Sequence, residues 1–141
     1  MDKKPFDVQK IIMDDSTVKP KVLCVEDELF IGDLYTRALT KAGYDVVVIS
    51  DGKLALEEAE KNTFDIILLD IMLPSLSGVE ILHTLRNPER TTLINAKIII
   101  TTNLDQEEEN REKIESMADG YIIKAEITPR ELVTYLSQIK L

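Results

Sequence analysis

Two stretches of the chain, Phe64-Asp-Ile-Ile-Leu-Leu-Asp70 and Ile98-Ile-Ile-Thr101, are apolar almost without a break and then end on a polar tip. Apolar runs this short and this continuous belong to strands buried on both faces, the condition of a parallel sheet covered by helices. Val/Ile-rich runs of the same kind place strands near 21–26, 45–49, 65–70, 96–101 and 120–124. Between them the period changes to that of a helix. Phe30, Leu34 and Ala38 recur at i+4 within 28–42, as do Ala55 and Ala59 within 52–62. Leu82 and Leu85 anchor 78–87, Ile114 and Met117 mark one side of the acidic stretch 105–118, and Leu132, Leu136 and Ile139 mark the last helix.

The boundaries carry chemical markers. Ser77-Gly-Val-Glu80 and Thr128-Pro-Arg-Glu131 are capping boxes, the second with proline at the first helical position. Gly43 follows the first helix where a left-handed cap is expected, and Asp105 can accept from the amides that open the fourth. Five strands alternating with five helices specify an α/β fold, a doubly wound five-stranded parallel sheet of flavodoxin-like order 2-1-3-4-5. In that order a crevice opens beyond the carboxyl ends of strands 1 and 3, where the winding reverses. Residues 1–20, with Lys3-Lys4-Pro5, Asp14-Asp15 and one short apolar cluster at Val8, Ile11, Ile12 and Met13, are expected to form a mobile leader to a domain spanning 21–141.

Composition excludes several classes of function. In 141 residues, 26 acidic side chains against 17 basic ones give a net charge of −9, which argues against nucleic acid as a partner. No apolar stretch approaches the ~20 residues of a membrane helix and the acidic N-terminus lacks a signal-peptide core, so a cytoplasmic location is expected. Cys24 is alone, inside the first apolar run, and reads as a core residue. His83 is alone too, and reads as a solvated helix residue. Glu107-Glu-Glu109 reads as a solvated helix face.

What remains is a set of strand tips. Strand 1 ends in Glu26-Asp27-Glu28, strand 3 in Asp70, strand 4 in Thr101 and strand 5 in Lys124. Carboxylates that converge at one sheet edge need a divalent cation, and Mg2+ accepts a couple of carboxylates together with water and phosphate oxygens. The inventory of an acidic cluster, a central Asp, a Thr and a Lys suits phosphoryl transfer onto a carboxylate. Asp70 is then the attacking group, Glu26 and Asp27 hold the metal, and Lys124 and the Thr101 hydroxyl meet the phosphoryl oxygens.

In Val25-Glu-Asp27, Leu69-Asp70 with Pro74 and Gly78 after it, Thr101, and Tyr121-Ile-Ile-Lys124, the chain resembles a response-regulator receiver domain of two-component signalling, of the single-domain, chemotaxis type. The resemblance covers residues 21–141. It implies that Asp70 is the phosphoacceptor, that Glu26, Asp27, Asp70 and the backbone carbonyl of Met72 bind Mg2+, that Lys124 contacts the phosphoryl group, and that Thr101 and Tyr121 form a switch pair. It also implies a sensor histidine kinase or phosphotransfer protein as donor, an unidentified protein as output partner, and no catalysis beyond the domain's own phosphorylation and dephosphorylation. Homodimers through helix 4, strand 5 and helix 5 are common in such domains, although the acidic helix 4 opposes a symmetric contact.

This sequence departs from the family pattern at three positions: Glu26 where Asp is frequent, Thr102 where a smaller residue is frequent and a larger one would crowd the phosphate, and Ala125 where proline usually favours a cis bond. These departures leave open an interaction module that acts without phosphorylation. A Mg2+-dependent hydrolase with an aspartyl nucleophile fits poorly, because Met72 stands where such enzymes carry a second acid. The sequence ends at Leu141, after the fifth helix, so either a stand-alone receiver or a piece of a longer regulator is expected.

Overall fold

The computed structural model describes residues 18–103 and 107–141. Residues 1–17 of the expected leader, and the Asp105 cap, lie outside them. Five parallel strands, β1 (Lys21–Val25), β2 (Asp45–Ile49), β3 (Ile66–Asp70), β4 (Lys97–Thr102) and β5 (Gly120–Ile123), form one sheet of order β2-β1-β3-β4-β5. The helices are α1 (Leu29–Lys41), α2 (Gly52–Lys61), α3 (Gly78–Leu85), α4 (Glu108–Met117) and α5 (Pro129–Ser137).

Strand alternation divides the core into two layers. Leu23, Val25, Ile67, Leu69, Ile98 and Ile100 pack against Ala55 and Ala59 of α2, Ile81, Leu82 and Leu85 of α3, and Ile114 of α4. Val22, Cys24, Ile66, Leu68, Ile99 and Ile122 pack against Tyr35 and Leu39 of α1 and Leu132 and Leu136 of α5. Every residue of β3 is buried, as the unbroken apolar run required. His83, Glu107 and Glu109 are exposed.

Local signals fix most helix ends where the sequence puts them. Both capping boxes form, at Ser77/Glu80 and Thr128/Glu131. Gly43 takes φ +103, and the Gly43 and Tyr44 amides bond back to the Thr40 and Leu39 carbonyls, closing α1 with a left-handed turn. The phase of α1 differs from expectation. Phe30 is 73% exposed, and the buried stripe is Gly32, Tyr35 and Leu39. The helix is rolled so that Tyr35 and Leu39 fill the layer, which leaves Leu34 and Ala38 at its margin.

At the edge of the sheet where the strands begin, Arg86, the residue capping α3, ties the α3–β4 connection to the α4–β5 connection. Its guanidinium donates to the carbonyls of Ile94 (3.0 Å), Ala96 (2.8 Å) and Met117 (3.3 Å), and to Asp119 Oδ2 (2.8 Å). The same Asp119 oxygen accepts from the Ile98 amide at 2.8 Å.

Candidate functional site

The reversal of winding between β1 and β3 brings the strand tips together at the other edge. Val25 is in register with Leu69 and Asp70 with Thr101, so Glu26, Asp70 and Thr101 stand side by side on three adjacent strands. Alternation puts Asp70 in line with Ile66 and Leu68, and Thr101 in line with Ile99, on the α1/α5 layer.

Two carboxylates are aimed by the same local device, a backbone amide two residues further on. The Met72 amide donates to Asp70 Oδ1 at 3.0 Å, and the Glu28 amide donates to Glu26 Oε2 at 3.0 Å. Gly78 makes this possible at Asp70: a Cβ there would lie 2.1 Å from the Asp70 carbonyl oxygen, so only glycine lets α3 begin this close behind the strand tip. Asp70 is 2% exposed and Glu26 1%, whereas Asp27 is exposed.

Lys124 supplies the counter-charge. It lies one residue past β5 in a short 3-10 turn, Lys124–Glu126, rather than in the strand. No peptide bond among the described residues is cis, so the chain passes Ala125 in the trans form and still delivers the ammonium. Nζ donates to Asp70 Oδ2 at 2.8 Å, lies 2.5 Å from Glu26 Oε1, and is 3.7 Å from Glu28 Oε1. Burial alone would lower the Lys124 pKa, but the hydrogen bonds and charges of Asp70 and Glu26 outweigh it and hold it above the ordinary lysine value. Burial raises Glu26 above the usual carboxylate range, with the Asp70 charge adding to this and Lys124 and the Glu28 amide opposing it.

Carboxylate oxygens of Glu26, Asp27 and Asp70 lie within 4.8 Å of one another. Glu26 Oε1 is buried and meets only the Lys124 ammonium among the described residues, which leaves a lone pair that a second cation could take. Hard oxygen donors of this kind fit Mg2+. Met72 follows with its side chain exposed.

Of the expected switch pair, Thr101 is buried and Tyr121 half-buried. They sit on adjacent strands one register step apart, because Tyr121 pairs with Ile100. The Tyr121 ring packs against the α2–α4 layer, under the guanidinium of Arg111. Thr102 is fully buried. Sequence reasoning missed Asn103, whose Nδ2 donates to Glu28 Oε1 at 3.0 Å across the mouth of the cleft. Its one signal was its place at the end of β4, where polar residues face the crevice.

Fold and site together define a doubly wound α/β domain with a buried lysine–carboxylate cluster at the topological switch point. Residues 22–137 match the model of the response regulator receiver domain. The chain is 38% identical over 112 residues to the alkaline phosphatase synthesis transcriptional regulatory protein PhoP of Bacillus subtilis, covering 79% of this chain and 45% of that one. It is similar to the receiver domain of Francisella response regulator 1452, with TM-score 0.74 and 33% identity over 84% of this chain and 94% of that one. It is also similar to response regulator protein TrrA of Thermotoga maritima in complex with Mg(2+)-BeF, with TM-score 0.70 and 28% identity over 84% and 97% of the two chains. The chain belongs to the response-regulator receiver domains of two-component signalling. It spans about half the length of the curated relatives it matches. Among the described residues no helix is long and apolar enough to cross a membrane.

Proposed function

We propose that this domain takes a phosphoryl group from a histidine kinase or phosphotransfer protein onto Asp70, in a Mg2+-dependent reaction, and thereby switches the face formed by α4, β5 and α5 for an output protein. The observation that carries the reading is the Asp70 carboxylate held at 2.8 Å by the Lys124 ammonium, beside Glu26 and Asp27. A strand-tip aspartate that served only as a cap or turn residue would have no use for a buried lysine of its own.

In the reaction an Asp70 oxygen attacks phosphorus while the bond from phosphorus to the donor's imidazole nitrogen breaks, and the freed imidazole takes up a proton. Glu26 and Asp27, with Asp70 and the Met72 carbonyl, would hold the Mg2+. The ion supplies charge neutralisation for an anionic donor entering an acidic cleft. The Met72 amide keeps Asp70 aimed, and Lys124 passes from the carboxylate to the phosphoryl oxygens as charge gathers there. The Thr101 hydroxyl is drawn to the same oxygens, and the Tyr121 ring follows into the space it leaves. A phosphoryl group brings about −1.5 to −2 charges, and it biases two arrangements that already exist. Catalysis is confined to the domain's own phosphorylation and dephosphorylation.

Incubation with Mg2+ and acetyl phosphate, followed by intact mass measurement, tests the reading. A single phosphate adduct is expected that is absent without metal and absent in Asp70→Asn. An adduct retained in Asp70→Asn, or none in the native chain, would refute it.

A further inference from the structure

The Tyr121 ring is held from outside the cleft by a residue of α4. The Arg111 guanidinium carbon lies 4.4 Å from the ring centroid, within the range of a cation–π contact. On its own helix, Arg111 Nε donates to Glu115 Oε1 at 3.2 Å, an i,i+4 pair that orients the guanidinium. We propose that Arg111 is a positioning residue for the switch: stacked on Tyr121, it holds the ring in the arrangement that accompanies unmodified Asp70 and so sets how readily the α4–β5–α5 face responds. The proposal rests on the phosphoacceptor reading above.

Lys124 Nζ donates directly to the Asp70 carboxylate, and the proposal assigns the ring position under Arg111 to that unmodified arrangement. A residue can shift a two-state equilibrium only by interacting differently with the two states, and Arg111 meets this condition. A ring that leaves its place loses the stack, while the bond to Glu115 stays as it was.

The attachment of α4 points the same way. Its C-terminal end is anchored, with Ile114 buried and Asp119, just beyond the helix, accepting from Arg86 and the Ile98 amide at 2.8 Å each. At its N-terminal end Glu107 makes no side-chain cap bond. Arg111 lies between the two and bridges α4 to β5 at the residue expected to move. The magnitude for a partly exposed cation–π pair corresponds to a factor of about two to five in the equilibrium.

The test is a titration of the full chain with beryllofluoride and Mg2+, following the Tyr121 ring signals by NMR together with backbone amides of the cleft. In Arg111→Gln the resting ring signals should be displaced toward the bound position of the native protein, with half-saturation at about two- to fivefold lower beryllofluoride. Arg111→Lys, which keeps the charge without the planar group, should fall between the two. Glu115→Gln should move in the same direction by less. Titration curves and ring signals in Arg111→Gln that match the native protein would overturn the proposal. So would a shift of equal size and opposite direction in Glu112→Gln, which removes a negative charge from the exposed side of the same helix, because the effect would then be one of net charge. The two readings fail differently: cleft amides that ignore beryllofluoride in the native protein overturn the phosphoacceptor reading and the clamp with it, whereas cleft amides that respond alike in every variant overturn the clamp alone.

Discussion

Replacing Arg86 by methionine keeps most of the apolar stem and removes the guanidinium that ties the loops at the strand-start edge. The bonds to the Ile94 and Ala96 carbonyls, at 3.0 and 2.8 Å, come from a charged donor and contribute about 1.5 kcal/mol each at this partial burial. The contact to the Met117 carbonyl, at 3.3 Å, is beyond the usual N–H···O range and is counted as nothing. The pair with Asp119 is 23% and 36% exposed at its two side chains, so screening reduces it to about 0.5 kcal/mol. Together these put the loss at about 3.5 kcal/mol, a large part of the ~5–15 kcal/mol that holds a typical domain folded. Urea unfolding followed by circular dichroism should show the midpoint fall by about 1–3 M with the slope unchanged. In a double-mutant cycle with Asp119→Asn, the coupling should stay near 0.5 kcal/mol, because the rest of the Asp119 cost is its bond from the Ile98 amide. Below the transition, Arg86→Met should still form the Asp70 adduct, since Arg86 lies at the far edge of the sheet from the cleft. A loss under about 1 kcal/mol would mean that water serves those carbonyls equally well, and the account of Arg86 as a structural tie would fall.

Mg2+ at 100 times its dissociation constant should raise unfolding stability by about 2.7 kcal/mol, and Asp27→Asn should lose most of that gain without losing the fold; equal gains in both would remove Asp27 from the metal site. Gly78→Ala should destabilise by about 1–3 kcal/mol and slow adduct formation, because its methyl group must displace the Asp70 backbone; native rates and stability would show that α3 can yield there. The Cys24 thiol is pushed up by burial to about 12 from 9.0, so the unfolded chain loses its proton first and this group's contribution to stability declines as pH rises from 9 through 12. At pH 8 a thiol reagent should therefore label Cys24 only at the rate of unfolding, and rapid labelling of the folded protein would contradict its burial.

The strands and the cleft were legible because their signals are local. An apolar run such as Ile66 to Leu69 reports burial on both faces by itself, and its polar tip reports which end faces the crevice. Ser77/Glu80 and Thr128/Glu131 mark helix starts within four residues. The phase of α1 was not legible, since Phe30, Leu34 and Ala38 have helical spacing as good as that of Tyr35 and Leu39. What decides between them is the layer of β-strand side chains beneath, which no local window contains. Contacts that a polar side chain makes beyond its own element, such as Arg86 with the Ile94 and Ala96 carbonyls and with Asp119, Asn103 with Glu28, and Arg111 with Tyr121, leave no period to read. Lys124 was legible as a strand tip but not as a turn residue, because the absence of proline at Ala125 says nothing about where a trans chain will go.

The two edges of the sheet are built on opposite principles. At the strand-start edge Arg86 and Asp119 meet several backbone groups with little excess charge. At the strand-end edge Glu26, Asp27 and Asp70 share one ammonium among the described residues, and burial already pushes Glu26 toward its neutral form. A site left short of positive charge destabilises the resting fold and so rewards whatever brings cations to it. On the phosphoacceptor reading, Lys124 must serve the phosphoryl oxygens instead of the Asp70 carboxylate, and that change is felt first at β5, one residue before it.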